Sequence, residues 1–255
     1  MSFALILRGK SDLHSKTLDN IRETVINDLS IKTIYMSTYD HANIGKVTRD
    51  YNPVYYKIQK VIPGTDVKIS YISIGMHLVS SLERVQKDID EGRLKETWMI
   101  ITRFDAWFKE TLSSVLSRVE YGLDPTKLYC LCRTEDDGID DNLYVLHVSN
   151  IKYLLEIMRS IFQGEYSTHQ MRKHIEKLMG TDKVAFLFPG QFYLQLQRPL
   201  ILFTREMQLK EERPDVYLID KTITNLSVSS GVFKNGQQNQ SGGIIKHHGG
   251  NLVPQ

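Results

Sequence analysis

Two apolar runs with a helical stripe between them open this chain and limit what it can fold into. Residues 3–7 (Phe-Ala-Leu-Ile-Leu) are apolar without interruption, which suits a strand covered on both faces. A polar stretch, 8–15, follows. Leu18, Ile21, Val25, Ile26 and Leu29 then recur at helical spacing, and residues 31–36 read as a second buried strand. A strand–helix–strand opening of this kind makes an α/β fold on a parallel sheet the expectation.

The rest of the chain continues the alternation. Residues 38–63 hold turn formers and tyrosines and read as an irregular excursion, with a short strand at 54–58. A long helix is expected over 70–90, with Ile74, Leu78, Leu82, Val85 and Ile89 on one stripe and Gly92 past its end. Residues 98–102 read as a buried strand and 106–116 as a helix. Strands at 128–132 and 143–148, helices at 150–162 and 169–179, and a short strand at 184–188 follow, with an edge strand at 217–219. From Thr222 the composition turns to Gly, Asn, Gln and Ser, with His247 and His248 near the end. The organisation expected is one α/β domain over 1–221 and a flexible tail over 222–255.

Composition removes several classes. The net charge is +2 with no long Lys or Arg run, so a duplex nucleic-acid binder finds no support. No apolar stretch approaches a membrane span, and the opening residues do not read as a signal peptide, so a cytosolic protein is expected. Cys130 and Cys132 are the only cysteines. In a strand they would share a face, and they read as reduced core residues. A zinc site would need further ligands, and no second cysteine pair supplies them.

Four clusters carry chemistry. Leu7-Arg8-Gly9-Lys10-Ser11 lies between a strand and a helix, where unpaired N–H groups favour an anion. A full phosphate-binding loop would need Gly where Ala4 stands, so a phosphotransferase of that kind is disfavoured, and a solvated charged loop is the plain alternative. Arg103-Phe104-Asp105 closes the strand over 98–102, and ligands of open α/β sheets collect beyond such ends. Asp105 could hold a divalent cation and Arg103 a phosphate; equally, Asp105 could cap a helix starting at Ala106. Residues 135–141 contain five acids, any of which could act as a general base or belong to a solvated turn. Tyr39-Asp40-His41 ends the second strand and could meet a ribose or base, or satisfy a turn.

These segments, in order, carry a family resemblance. The stretches FALILRGK, IKTIYMSTYD, YISIGMHLVSSLERVQ, WMIITRFDAWF and GIDDNLYVLHVSNIKYLLEIM resemble glycosyltransferases of the GT-A fold, the nucleotide-diphospho-sugar transferases of large DNA viruses and bacterial polysaccharide clusters. The resemblance spans about residues 3–190. It implies a Rossmann-type, mixed and mostly parallel sheet flanked by helices. It also implies sugar transfer from a nucleotide-diphosphate sugar to a hydroxyl on a glycan or protein, assisted by Mn²⁺ or Mg²⁺. Carried over by position, Arg8 and Gly9 match the loop beside the sugar nucleotide, and Asp40 the turn near the base. Arg84 and Arg103 are matched to phosphate contacts, Asp105 to the last acid of the metal motif, and Asp140 or Asp141 to the acceptor base. Such motifs usually read Asp-x-Asp, and Arg103 stands where the first acid belongs. His169 and His174 are candidates for the remaining metal ligand. The missing acid also keeps open a non-catalytic module of the same fold that binds a nucleotide sugar or a protein.

Overall fold

The computed structural model describes residues 1–11, 14–41, 43–60, 67–134, 138–189 and 201–203. The chain divides into two units, Met1–Thr204 and Arg205–Gln255, and every described residue lies in the first. The edge strand expected at 217–219, the tail and its domain boundary fall outside the described residues.

The opening is as its pattern demands. β1 (Phe3–Gly9) leads to α1 (His14–Ile21), which continues as a π-helical stretch, Arg22–Asn27, and β2 (Ile34–Tyr39) returns parallel to β1. Next come α2 (Ile44–Tyr51), β3 (Tyr55–Gln59) and the long α3 (Val67–Asp90). β4 (Trp98–Arg103) pairs parallel with β1 on its other side. β5 (Ala106–Phe108), α4 (Leu112–Leu116), β6 (Leu128–Cys130) and β7 (Leu143–His147) precede α5 (Ile151–Phe162), α6 (Met171–Met179) and β8 (Val184–Phe186). β9 (Ile201–Phe203) pairs antiparallel with β5 in a separate ribbon. The main sheet has the order β3-β2-β1-β4-β7-β6-β8, parallel except where β7 runs against β4 and β6. This is the mixed, mostly parallel α/β sheet that the sequence led us to expect.

Alternation along each strand divides the core into two layers. Phe3, Leu5 and Leu7 of β1, with Trp98 and Ile100 of β4, face α1, α2 and α4 through Leu18, Ile21, Val47 and Val115. Ala4, Ile6, Met99 and Ile101 face α3, α5 and α6 through Leu78, Leu82, Leu154, Met158 and Ile175. In α3, Gly75 lets α5 approach closely: a Cβ there would lie 2.6 Å from the Phe162 nitrogen.

Three local readings change. The helix expected over 106–116 is a strand, Ala106–Phe108, then a short helix capped by Thr111, whose hydroxyl accepts from the Ser114 N–H. The pairing that makes the strand comes from residues 201–203, some hundred positions away, beyond the reach of local periodicity. Asp105 therefore caps no helix at Ala106. The region 38–63 contains α2, whose apolar face is Ile44, Val47 and Tyr51 and whose end turns at Asn52 in the left-handed conformation (φ 45°). Finally, Cys130 and Cys132 are both buried but join opposite core layers, because β6 ends at Cys130 and the two-residue period ends with it.

Candidate functional site

The carboxyl ends of β1, β2 and β4 and the entry to β7 meet at one edge of the sheet. Arg8 of β1 pairs in register with Ser37 of β2 on one side and with Arg103 of β4 on the other. Strand alternation puts all three on the α3 side of the sheet. Two guanidinium groups thus originate on neighbouring strands, about 4.8 Å apart, an arrangement that costs stability unless each charge is answered.

Each is answered by an acid. Arg8 is 2% exposed, and its Nη2 donates to the Asp141 backbone carbonyl and, at 3.4 Å, to the Asp141 carboxylate. Its Nε is buried without a hydrogen-bond partner among the described residues. Arg103 grips Asp105 in a fork: Nε donates to Oδ1 and Nη2 to Oδ2, both at 2.7 Å. The one residue between Arg103 and Asp105 allows this because Phe104 turns inward to the core, and the Phe104 N–H donates to the Arg8 carbonyl at 3.2 Å. Thr17 of α1 donates to the Phe104 carbonyl at 2.5 Å and holds the turn from below.

Asp140 and Asp141, adjacent in sequence, have different surroundings. Asp140 is 1% exposed; its carboxyl accepts from the Asn142 N–H at 3.1 Å and from Asn142 Nδ2 at 2.5 Å. Burial first, and then the neighbouring Asp141 charge, push its pKa up to about 8. Asp140 is therefore a neutral acid at pH 7 that shapes the turn. The Asp141 side chain is 23% exposed and lies against Arg8. Thr102 ties the same turn to β4 by donating to the Asn142 carbonyl at 3.0 Å.

Two further groups enter from residues that sequence reasoning passed over. His77 of α3 is 2% exposed, shares a hydrogen bond of 2.9 Å between Nδ1 and the Ser37 hydroxyl, and leaves Nε2 buried without a partner among the described residues. Burial first, and then the Arg8 charge, push its pKa down to about 3, so the imidazole is neutral. The signal available was a histidine on the apolar stripe of α3, one residue before Leu78. Tyr144 of β7 is buried beside Asp141 and Arg8, and its hydroxyl has no partner among the described residues.

The remaining candidates are placed as follows. Gly9 ends β1 with φ 91°, a conformation that L side chains adopt with strain. Lys10 and Asp40 are exposed at the same edge. Ser11 joins the loop to β2 through Thr38 at 2.6 Å and His41 at 2.8 Å. The Asn43 N–H donates to His41 Nδ1, so the ring carries its proton on Nε2 and donates to Ser11; it is no base for that hydroxyl. Arg84 does not join the cluster. It pairs with Asp88 at 3.0 Å and stacks over Tyr55, while Asp88 accepts from the Tyr35 hydroxyl, all at the opposite ends of β2 and β3. His174 packs on Tyr166 at α6, and the His169 side chain and residues 135–137 lie outside the described set.

Among the described residues, no group of three or more His, Cys, Asp or Glu side chains is placed to hold a metal. Both oxygens of Asp105 already accept from Arg103. The described residues therefore do not fit a divalent cation at Asp105. No helix among them is long and apolar enough to cross a membrane.

Neither a family model nor a curated protein matches the sequence. Among solved structures, the chain is similar to the crystal structure of a glycosyltransferase involved in the glycosylation of the major capsid of PBCV-1. The TM-score is 0.47 and the identity 8%, over 80% of this chain and 94% of that one.

Proposed function

We propose that the chain is a glycosyltransferase that moves a sugar from a nucleotide-diphosphate sugar to a hydroxyl acceptor. The observation that carries this reading is the row Ser37, Arg8, Arg103 at the carboxyl ends of the sheet, with the partly exposed carboxylate of Asp141 beside it. Ligands of open α/β sheets gather at such ends. Two guanidinium groups fixed there suit a diphosphate that gains negative charge as it leaves. The resemblance of the segments that form these strand ends supports the same assignment.

In this reading the acceptor hydroxyl gives its proton to Asp141 while its oxygen attacks the anomeric carbon. The carbon–oxygen bond to the diphosphate breaks, and its electron pair leaves on the phosphate oxygen, facing Arg8 and Arg103. Asp140, neutral and satisfied by Asn142, holds the turn that presents Asp141. A cytosolic setting accords with this chemistry.

The engagement of Asp105 by Arg103 favours a second reading, a binding module that holds a nucleotide sugar without transferring it. Released nucleoside diphosphate, assayed over a panel of nucleotide sugars and simple acceptors, separates the two. Turnover that Asp141→Asn lowers by about 10²–10⁴-fold supports the enzyme. Nucleotide-sugar binding with no release for any donor supports the module.

A further inference from the structure

The resemblance puts a divalent cation at Asp105, and the geometry argues for something else in its place. Arg103 donates to both carboxylate oxygens of Asp105, so a metal would have to displace a bidentate guanidinium to gain its ligand. Its arriving charge would also face Arg8, which pairs in register with Arg103 on the adjoining strand. Asp140, the buried acid at the same edge, spends its carboxyl on Asn142. Hard divalent cations need several oxygen ligands at short range, and the described residues assemble no such group.

Arg103 is instead oriented as a fixed cation. The fork with Asp105 sets the plane of the guanidinium, and the Phe104 turn, held by Thr17 and by the Arg8 carbonyl, sets its position. Guanidinium matches phosphate geometry as a planar donor, where an ammonium is only a point charge. We infer that the anion site at this edge binds a nucleoside diphosphate without a metal ion, with Arg103 supplying the charge that a divalent cation would otherwise bring. This rests on the nucleotide-sugar reading above and narrows it.

The test is calorimetric titration of UDP and of GDP into the full chain, in EDTA and again in excess Mn²⁺, with Mn²⁺ alone titrated separately. We expect nucleoside diphosphate affinities within about threefold of each other in the two buffers, and no heat from Mn²⁺ alone. Arg103→Ala should weaken binding at least about tenfold, and Arg103→Lys, which keeps the charge but loses the fork, by an intermediate amount. Unfolding curves establish that each variant is folded. Binding seen only with Mn²⁺, and lost in Asp105→Asn, overturns metal independence and leaves the nucleotide reading standing. No binding of either nucleotide in either buffer overturns both.

Discussion

Arg8, buried at the end of β1, donates to both the backbone carbonyl and the carboxylate of Asp141, 133 residues further along the chain. That contact joins the first strand of the sheet to the turn before β7 and brings a cation and an acid together at the proposed site. Arg8→Met removes the cation and leaves Asp141 partly buried without it. Because Asp141 keeps some solvent, the loss of stability should be about 2–3 kcal/mol, below that for a fully enclosed pair, as read by denaturant unfolding. Unchanged stability would mean that the contact is not maintained in solution.

Asp140 gives a prediction in pH. Its folded pKa, about 8, lies above the usual 3.8, so between these values the folded chain holds a proton that the unfolded chain has released. Its contribution to stability is therefore lost as pH rises from about 4 to about 8. Asp140→Asn should flatten that part of the stability profile relative to the parent chain. A variant profile parallel to the parent's across this range would show that Asp140 is ionised in the fold.

His77 predicts the opposite slope. Its folded pKa, about 3, lies below the usual 6.5, so the unfolded chain takes up the proton first. Stability should fall as pH drops from about 6.5 toward 3, and His77→Gln should remove that part of the acid sensitivity. Thermal melts of both chains across the range read the difference.

The strands that carry this edge are legible because β1, β2 and β4 each begin with an unbroken apolar run, residues 3–7, 34–36 and 98–101, a signal that needs no partner. Arg8, Arg103 and Asp105 can be singled out because they stand at the ends of buried strands, and Asp141 because it belongs to the acidic loop 135–141. Their pairing cannot. Asp141 meets Arg8 only after β7 has inserted beside β4, and that order is not visible in any one segment. Local periodicity gives a helix at β5 for the same reason, since the ladder partner of β5 is distant in sequence. Arg84 looked like a phosphate ligand on chain order, but α3 runs antiparallel to the strands and carries it to their far end, against Asp88 and Tyr55. His77 gives no comparable signal, because one polar residue beside an apolar stripe passes for a tolerated exception.

Gly75 tests the packing of α3 on α5. In an exposed helix Gly→Ala would gain about 1 kcal/mol. Here the added Cβ would lie 2.6 Å from a backbone nitrogen of α5, and no side chain can move aside to admit it. Gly75→Ala should therefore destabilise the fold by about 1–3 kcal/mol, measured by thermal or denaturant unfolding. A stabilised variant would show that the two helices are further apart than described.

The central claim is that the carboxyl ends of β1 and β4 form a diphosphate site. A crystal structure of the chain soaked with a nucleoside diphosphate or its sugar tests it most directly. The account predicts phosphate oxygens within hydrogen-bonding distance of Arg8 or Arg103, beyond the end of the sheet. A nucleotide seated elsewhere, for instance in the cavity bordered by Arg118, Tyr129 and Phe186, with the Arg8–Arg103 row untouched, would contradict it.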